Sequence, residues 1–176
     1  PIPPRAVPRP LLDRETVEAR VAELAREIEH DYRDSDRLIA VGVLNGSVFF
    51  LVDLLRRIDL PLRVDFFQTQ SYGDATEPGD LKILKDVDSS VRGADVLLIE
   101  DIVDTGQPLA TLLDKLRHRG ARSVKLCTLL DKPSRRRVEV PIDYCGFAIE
   151  DHFVVGYGLD HAGFHRNLPY IGIVES

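Results

Sequence analysis

Cysteine is scarce in this chain. Its two copies, Cys127 and Cys145, lie within apolar runs and show no metal-ligand spacing. Such sparse usage excludes a disulfide scaffold and fits buried free thiols in a reducing cytoplasm, where the protein is expected to reside. Positive charge is also in short supply: 23 Lys and Arg against 29 Asp and Glu leave a formal net charge of −6. That balance argues against a general nucleic-acid binder and against a membrane-surface protein. No apolar run approaches a membrane span, no secretory-signal pattern opens the sequence, and no internal repeat or low-complexity tract occurs. The five histidines show no ligand spacing.

What remains is an ordinary balance of 44% hydrophobic and 30% charged residues over 176 positions, long enough for one domain with a sizeable core. Its most informative stretch covers residues 96–109. Residues 96–99 are an uninterrupted apolar run, short and β-branched enough for a strand buried on both faces. The run gives way to Glu100 and Asp101, with a third carboxylate at Asp104. The segment Asp104-Thr105-Gly106-Gln107-Pro108 then opens a helical pattern with Leu109, Leu112, Leu113 and Leu116 on one face. A strand, a polar turn and a helix N-terminus make an anion site, because the first helical N–H groups are unpaired and the helix dipole favours negative charge. Two unit charges about 4 Å apart repel by about 4 kcal/mol at an effective dielectric near 20. Three acids beside a phosphate site therefore ask for a cation or several hydroxyls, and magnesium with a sugar phosphate supplies both. The plain alternative is a helix N-cap at Asp104 with solvated neighbours.

The remaining chain alternates strands and helices. Residues 1–10 hold five prolines and no periodicity, and residues 1–12 are expected to form an extended arm. A helix begins near Asp13, with Val17, Val21, Leu24, Ile28 and Tyr32 on its apolar face and Asp13 or Thr16 as its cap. Residues 38–44 read as a buried strand, followed by Asn45-Gly46-Ser47 and a helix over 48–58; this is a second place where backbone N–H groups can meet an anion. Strand patterns over 62–70 and 81–87 flank a polar loop at 71–80, long enough to suggest a mobile flap rather than a tight hairpin. Residues 124–130 form another strand ending at Lys132, where α/β proteins place ligand contacts. The run Arg135-Arg136-Arg137 reads as a solvated face. One more strand is expected over 144–149.

The apolar run, the two acids, two further apolar residues and Asp104-Thr105-Gly106 together resemble the phosphoribosyl diphosphate motif of the phosphoribosyltransferases. Lys132, then Phe153-Val154, Asp160 and Arg166, narrow the resemblance to the bacterial hypoxanthine (6-oxopurine) members. It covers nearly the whole chain from the first helix onward. The resemblance implies an α/β fold of the type I phosphoribosyltransferase kind: a mostly parallel sheet flanked by helices, with a small hood made from the arm and the carboxyl-terminal segments. It implies transfer of ribose 5-phosphate from phosphoribosyl diphosphate to hypoxanthine, with guanine as a second base, in purine salvage.

The residue roles follow from the same resemblance. Asp104 exchanges a proton with the purine. Glu100, Asp101, Asp104, Thr105, Gly106 and Gln107 bind the ribose and its phosphate. Leu44, Asn45 and Gly46 form a pyrophosphate turn, often with a cis peptide that falls here at Leu44-Asn45, and Arg166 assists. Ser71 and Tyr72 begin the flexible loop. Lys132 donates to the 6-oxo group, Phe153 stacks on the base and the Val154 backbone reads its edge. Magnesium is held by Glu100, Asp101 and Asp160. A homodimer or tetramer is expected, with no nucleic-acid or membrane partner. Two positions depart from the pattern: Asn45 stands where many members carry Lys or Arg, and Pro108 stands where a Thr usually contacts the 5′-phosphate. A nucleotide-sensing RNA-binding regulator of the same fold is the rival reading, against which the acidic balance and complete acid set weigh. An enzyme preferring xanthine is the other.

Overall fold

The computed structural model describes residues 7–71 and 81–174. Its elements follow the chain as β1 (Arg9–Leu12), α1 (Arg14–Tyr32), β2 (Leu38–Leu44), α2 (Val48–Leu55), β3 (Leu62–Ser71), β4 (Leu81–Lys85) and β5 (Asp95–Val103). Then come α3 (Gln107–His118), β6 (Ser123–Asp131), a 3-10 turn (Pro133–Arg135), β7 (Tyr144–Ala148), β8 (Val154–Val155) and β9 (Ile171–Ile173).

Local chemistry explains these boundaries. Asp13 starts α1, its carboxylate accepting from the N–H of Thr16 at 2.8 Å, and thereby satisfies one orphan donor of the first turn. Val17, Val21, Leu24, Ile28 and Tyr32 are buried on one face of α1, as the periodicity predicts. Gly106 takes a left-handed φ of 83° immediately before α3, and a side chain there would run into the carbonyl of Val138. Glycine is required on both counts.

β4-β3-β2-β5-β6-β7 form one sheet, parallel throughout except for antiparallel β4. β2 is apolar along its length, as expected of a central strand covered on both faces. One core cluster joins α1 and α2 to the sheet through Leu24, Leu54, Leu97 and Ile99. The other gathers Leu109, Leu112 and Leu116 of α3 against Val41, Val96 and Leu98. Chain order reverses between β2 and β5: β2 leads to β3 on one side, and β5 to β6 on the other. Their carboxyl-end loops part there and leave the crevice in which open α/β sheets bind ligands.

The expected hood is the three-stranded sheet β1-β9-β8. The last residues of the proline-rich arm pair with the carboxyl-terminal strand, Arg9 opposite Ile173. Residues 1–6 lie outside the described residues, as do 72–80, which include Tyr72 and nearly all of the expected flap. Among the described residues, no helix is long and apolar enough to cross a membrane.

Two sequence-based expectations need correction. β5 does not stop at Ile99. It runs to Val103, because β6 offers a continuous parallel partner with Glu100 opposite Thr128 and Val103 opposite Asp131. Both cysteines are free, but only Cys127 is fully buried; Cys145 lies on the edge strand β7 and is half-buried. The arginine run is exposed at Arg135 and Arg137, as expected, and half-buried at Arg136, and all three residues are bonded to the loop that follows β5.

Candidate active site

The carboxyl ends of β2, β5 and β6 carry the turn at 44–46, the stretch 100–107 and Lys132. At the end of β2 the Leu44-Asn45 peptide bond is cis, as the resemblance implies. Ser47 then turns back, its buried hydroxyl donating to the carbonyl of Val43 at 2.7 Å, which leaves the backbone to form the turn. Gly46 lies against Asp101 so closely that a side chain at 46 would overlap the Asp101 carboxylate. On the other side, a side chain on Gly158 would collide with the Gly46 carbonyl. Three segments distant in sequence therefore meet at Gly46 with no room for a Cβ.

Glu100 and Asp101 sit inside β5 rather than beyond it. Glu100 Oε1 accepts from the N–H of Asp101 at 2.9 Å, and Asp101 Oδ1 accepts from the N–H of Ile102 at 2.7 Å. Burial, and then the charge of Asp101, push the Glu100 carboxyl well above the usual carboxylate range. Burial also raises Asp101, against the opposing effect of hydrogen bonds and of Arg166. Two desolvated carboxyls side by side, opposed only in part by Arg166, make an environment that fits a hard cation or sugar hydroxyls. Asp160 is satisfied differently. Its Oδ1 pairs with Arg166 Nη2 at 3.0 Å and its Oδ2 accepts from the N–H of Gly163 at 2.7 Å. Among the described residues, no three carboxylates or other ligand residues are grouped tightly enough to hold a metal ion. Glu100 and Asp101 thus come together, and Asp160 stands apart with Arg166. Arg166 itself donates to the carbonyl of Gly158 at 2.5 Å, which fastens it beside the Gly46 turn.

Beyond β5, the loop from Asp104 to Gly106 leads into α3. Thr105 and Gln107 are partly buried and Pro108 is exposed, at the second position of the helix. The sequence reading missed what holds this loop. The Thr105 carbonyl accepts from the N–H groups of Arg137 at 2.9 Å and Val138 at 3.0 Å. Arg136 Nε donates to the Asp104 carbonyl at 3.2 Å, and its Nη2 pairs with Asp131. Arg135 Nε donates to Asp104 Oδ1 at 3.2 Å. The available signal was three arginines following a strand that ends at Asp131, and their partners are too remote in sequence to be read from spacing.

Lys132 is buried at the end of β6, its Nζ 3.6 Å from Asp151 Oδ1. Phe153, by contrast, is 52% exposed, with His161 edge-on to its ring at 5.4 Å. An aromatic so exposed before two buried valines is unusual for a core residue and suits a face that a planar ligand covers. Val154 is buried in β8, the outer strand of the hood, so the sheet pairs only one side of its backbone. Ser71 ends β3 at the border of the described residues.

Comparison with known proteins places the fold in a family. The family model of the phosphoribosyl transferase domain matches residues 10–162. The hypoxanthine-guanine phosphoribosyltransferase of Bacillus subtilis is 47% identical over 166 residues, covering 94% of this chain and 92% of that protein. A bifunctional TilS/HprT protein of Listeria monocytogenes is 49% identical over 166 residues; the match covers 94% of this chain and 26% of that protein, so the chain spans about a quarter of its length. A crystal structure of a hypoxanthine phosphoribosyltransferase from Staphylococcus aureus superposes with a TM-score of 0.91 at 43% identity, covering 95% of this chain and 91% of that one. The α/β fold with its mostly parallel sheet flanked by helices is that of a phosphoribosyl transferase domain, and the chain belongs to the hypoxanthine phosphoribosyltransferase family.

Proposed function

We propose that this chain transfers ribose 5-phosphate from phosphoribosyl diphosphate to N9 of hypoxanthine, and also of guanine, releasing pyrophosphate. The bond from ribose C1′ to the pyrophosphate oxygen breaks, and the bond from C1′ to N9 forms. The observation that carries this reading is the meeting at Gly46, where the turn after β2, the Asp101 carboxylate and the segment bearing Arg166 pack without room for a side chain. A site so built offers backbone N–H groups and a guanidinium to pyrophosphate, beside carboxyls for ribose hydroxyls.

The roles divide along the crevice. Leu44, Asn45, Gly46 and Arg166 receive pyrophosphate and stabilise the charge of the leaving group. Thr105, Gly106 and Gln107 hold the 5′-phosphate at the start of α3. Asp104 takes the N7 proton of the purine as N9 bonds to C1′. Lys132 donates to the 6-oxo group, Phe153 covers the base, and the open edge of Val154 reads its other side. Glu100 and Asp101 fit magnesium by donor chemistry on the ribose side, and Asp160 would serve on the pyrophosphate side by giving up its contact with Arg166. Magnesium bound there supplies the positive charge that neutralises the diphosphate. Assembly into a dimer or tetramer belongs to the same reading. It is supported by apolar Phe49, Val52, Val64 and Leu84, each 41–49% exposed on α2 and the β3–β4 edge.

The test is incubation of the purified chain with hypoxanthine, phosphoribosyl diphosphate and magnesium. Equimolar IMP and pyrophosphate are expected, and excess chelator should stop their formation. No nucleotide product, or full turnover in chelator, would overturn the reading.

A further inference from the structure

Four charged side chains form a chain across the base end of the crevice. Arg135 Nε bonds Asp104 Oδ1 at 3.2 Å, Arg135 Nη1 lies 3.7 Å from Asp151 Oδ2, and Lys132 Nζ lies 3.6 Å from Asp151 Oδ1. Asp151 is therefore the common counter-ion of the lysine assigned to the base and the arginine that holds the carboxylate assigned to proton exchange. Lys132 and Arg135 are also fixed to each other, because the N–H of Arg135 donates to the Lys132 carbonyl at 3.1 Å and closes the 3-10 turn begun by Pro133. O6 and N7 of a 6-oxopurine lie side by side on one edge of the base. Groups that address these two atoms must keep a fixed spacing.

We propose that Arg135 is a positioning residue for the transfer, fixing the Asp104 carboxylate relative to Lys132 through the shared counter-ion Asp151. The inference rests on the function proposed above. Arg135 takes Asp104 Oδ1, and among the described residues Asp104 Oδ2 has no hydrogen-bond partner and so stays available to the base. The loop itself does not need this side chain. Arg136 Nε on the Asp104 carbonyl, and the Arg137 and Val138 N–H groups on the Thr105 carbonyl, hold its backbone independently. Removing the Arg135 guanidinium frees the carboxylate to turn while leaving the phosphate loop in place.

The test compares wild type, Arg135→Gln, Arg135→Lys and Asp104→Asn, together with the Arg135→Gln/Asp104→Asn double variant, in single-turnover and steady-state assays with hypoxanthine. Arg135→Gln should lower kcat about 10- to 100-fold, the range expected for a misaligned reacting group. Its affinity for phosphoribosyl diphosphate should stay within about twofold, since the contact it loses within the loop is to the Asp104 carboxylate alone, while Arg136 and the Arg137 and Val138 N–H groups still hold the loop backbone. Arg135→Lys, which keeps the charge, should recover part of the loss. In the Asp104→Asn background, Arg135→Gln should change kcat by less than about twofold, because a residue acting through Asp104 has nothing left to act on. An equal loss in both backgrounds, or an unchanged kcat in Arg135→Gln, overturns the proposal. If Arg135→Gln does not fold, Arg135→Lys in the two backgrounds reads the same coupling. Wild type without activity on hypoxanthine would instead overturn the function on which the proposal rests.

Discussion

Pro108 stands at the second position of α3, in the turn assigned to the 5′-phosphate. The first turn of a helix presents N–H groups with no intrahelical partner, and a proline removes one of them. A threonine here would restore that N–H and add a hydroxyl. The obvious substitute does not compensate: Thr111 is exposed one turn later and donates to the Gln107 carbonyl at 3.3 Å, a back-bond within its own helix. Pro108 is exposed, so a threonine meets no obstacle. A hydrogen bond to a charged group contributes about 1.5–3 kcal/mol, which corresponds to roughly 10- to 150-fold in affinity. Pro108→Thr should therefore tighten phosphoribosyl diphosphate binding at least about tenfold, with one such bond setting the scale. Loss of the proline should simultaneously cost about 0.4–1 kcal/mol of folding stability, through greater freedom of the unfolded chain. Direct titration with phosphoribosyl diphosphate, beside denaturant unfolding, measures both. Tighter binding in a slightly less stable protein is the expected pair. Unchanged or weaker binding would show that the phosphate is already saturated with donors, or that it sits elsewhere.

Three further outcomes follow from the same geometry. Asp104→Asn should lower turnover by about 10²- to 10⁴-fold, the usual contribution of a general acid–base group, with little change in phosphoribosyl diphosphate affinity; a loss confined to affinity would make Asp104 a binding residue. Lys132→Ala should narrow the preference for hypoxanthine over adenine to about tenfold or less, because an ammonium donates to a 6-oxo group and cannot accept from a 6-amino group; relative kcat/KM values decide it. Asp95 is held below the usual carboxylate range by hydrogen bonds from Arg122 and, against the cost of burial, from Ser35 and Ser123. Its stabilisation is present above the unfolded value near pH 3.9 and is lost as pH falls towards the depressed folded value. Asp95→Asn should be less stable than wild type by about 1–3 kcal/mol at pH 7, with the gap shrinking below about pH 4. Equal gaps in urea unfolding at pH 7 and pH 3 would contradict this.

Much of the architecture is legible in the sequence because it rests on local periodicity. The Asp13 cap and the apolar face from Val17 to Tyr32 define α1, and the Leu38–Leu44 run marks a strand covered on both faces. Motif order places Asp104, Lys132 and Arg166 at loops on the sheet's carboxyl side or in the segment packed against it. What was not legible depends on pairing across the chain. Glu100 and Asp101 look like a strand end, yet β6 continues beside them and keeps them in register. The arginines after Pro133 are largely solvated, as they look, but their acceptors, which the spacing does not reveal, lie some thirty residues earlier at Asp104 and Thr105. The arm reads as extended, but its pairing residue by residue is not legible, because its strand partner, Ile171–Ile173, lies at the other end of the sequence. The exposure of Phe153 beside His161 is not legible either, because Phe153 stands directly before two apolar valines.

The most direct test of the account is the ratio of kcat/KM for hypoxanthine to that for adenine, measured with saturating phosphoribosyl diphosphate and magnesium. A buried Lys132 donating to the 6-oxo group predicts a preference for hypoxanthine on the order of 10⁴-fold, because adenine leaves that donor facing an amino group. Comparable values for the two bases, or a preference for adenine, would contradict the assignment of Lys132 and with it the reading of this crevice as a 6-oxopurine site.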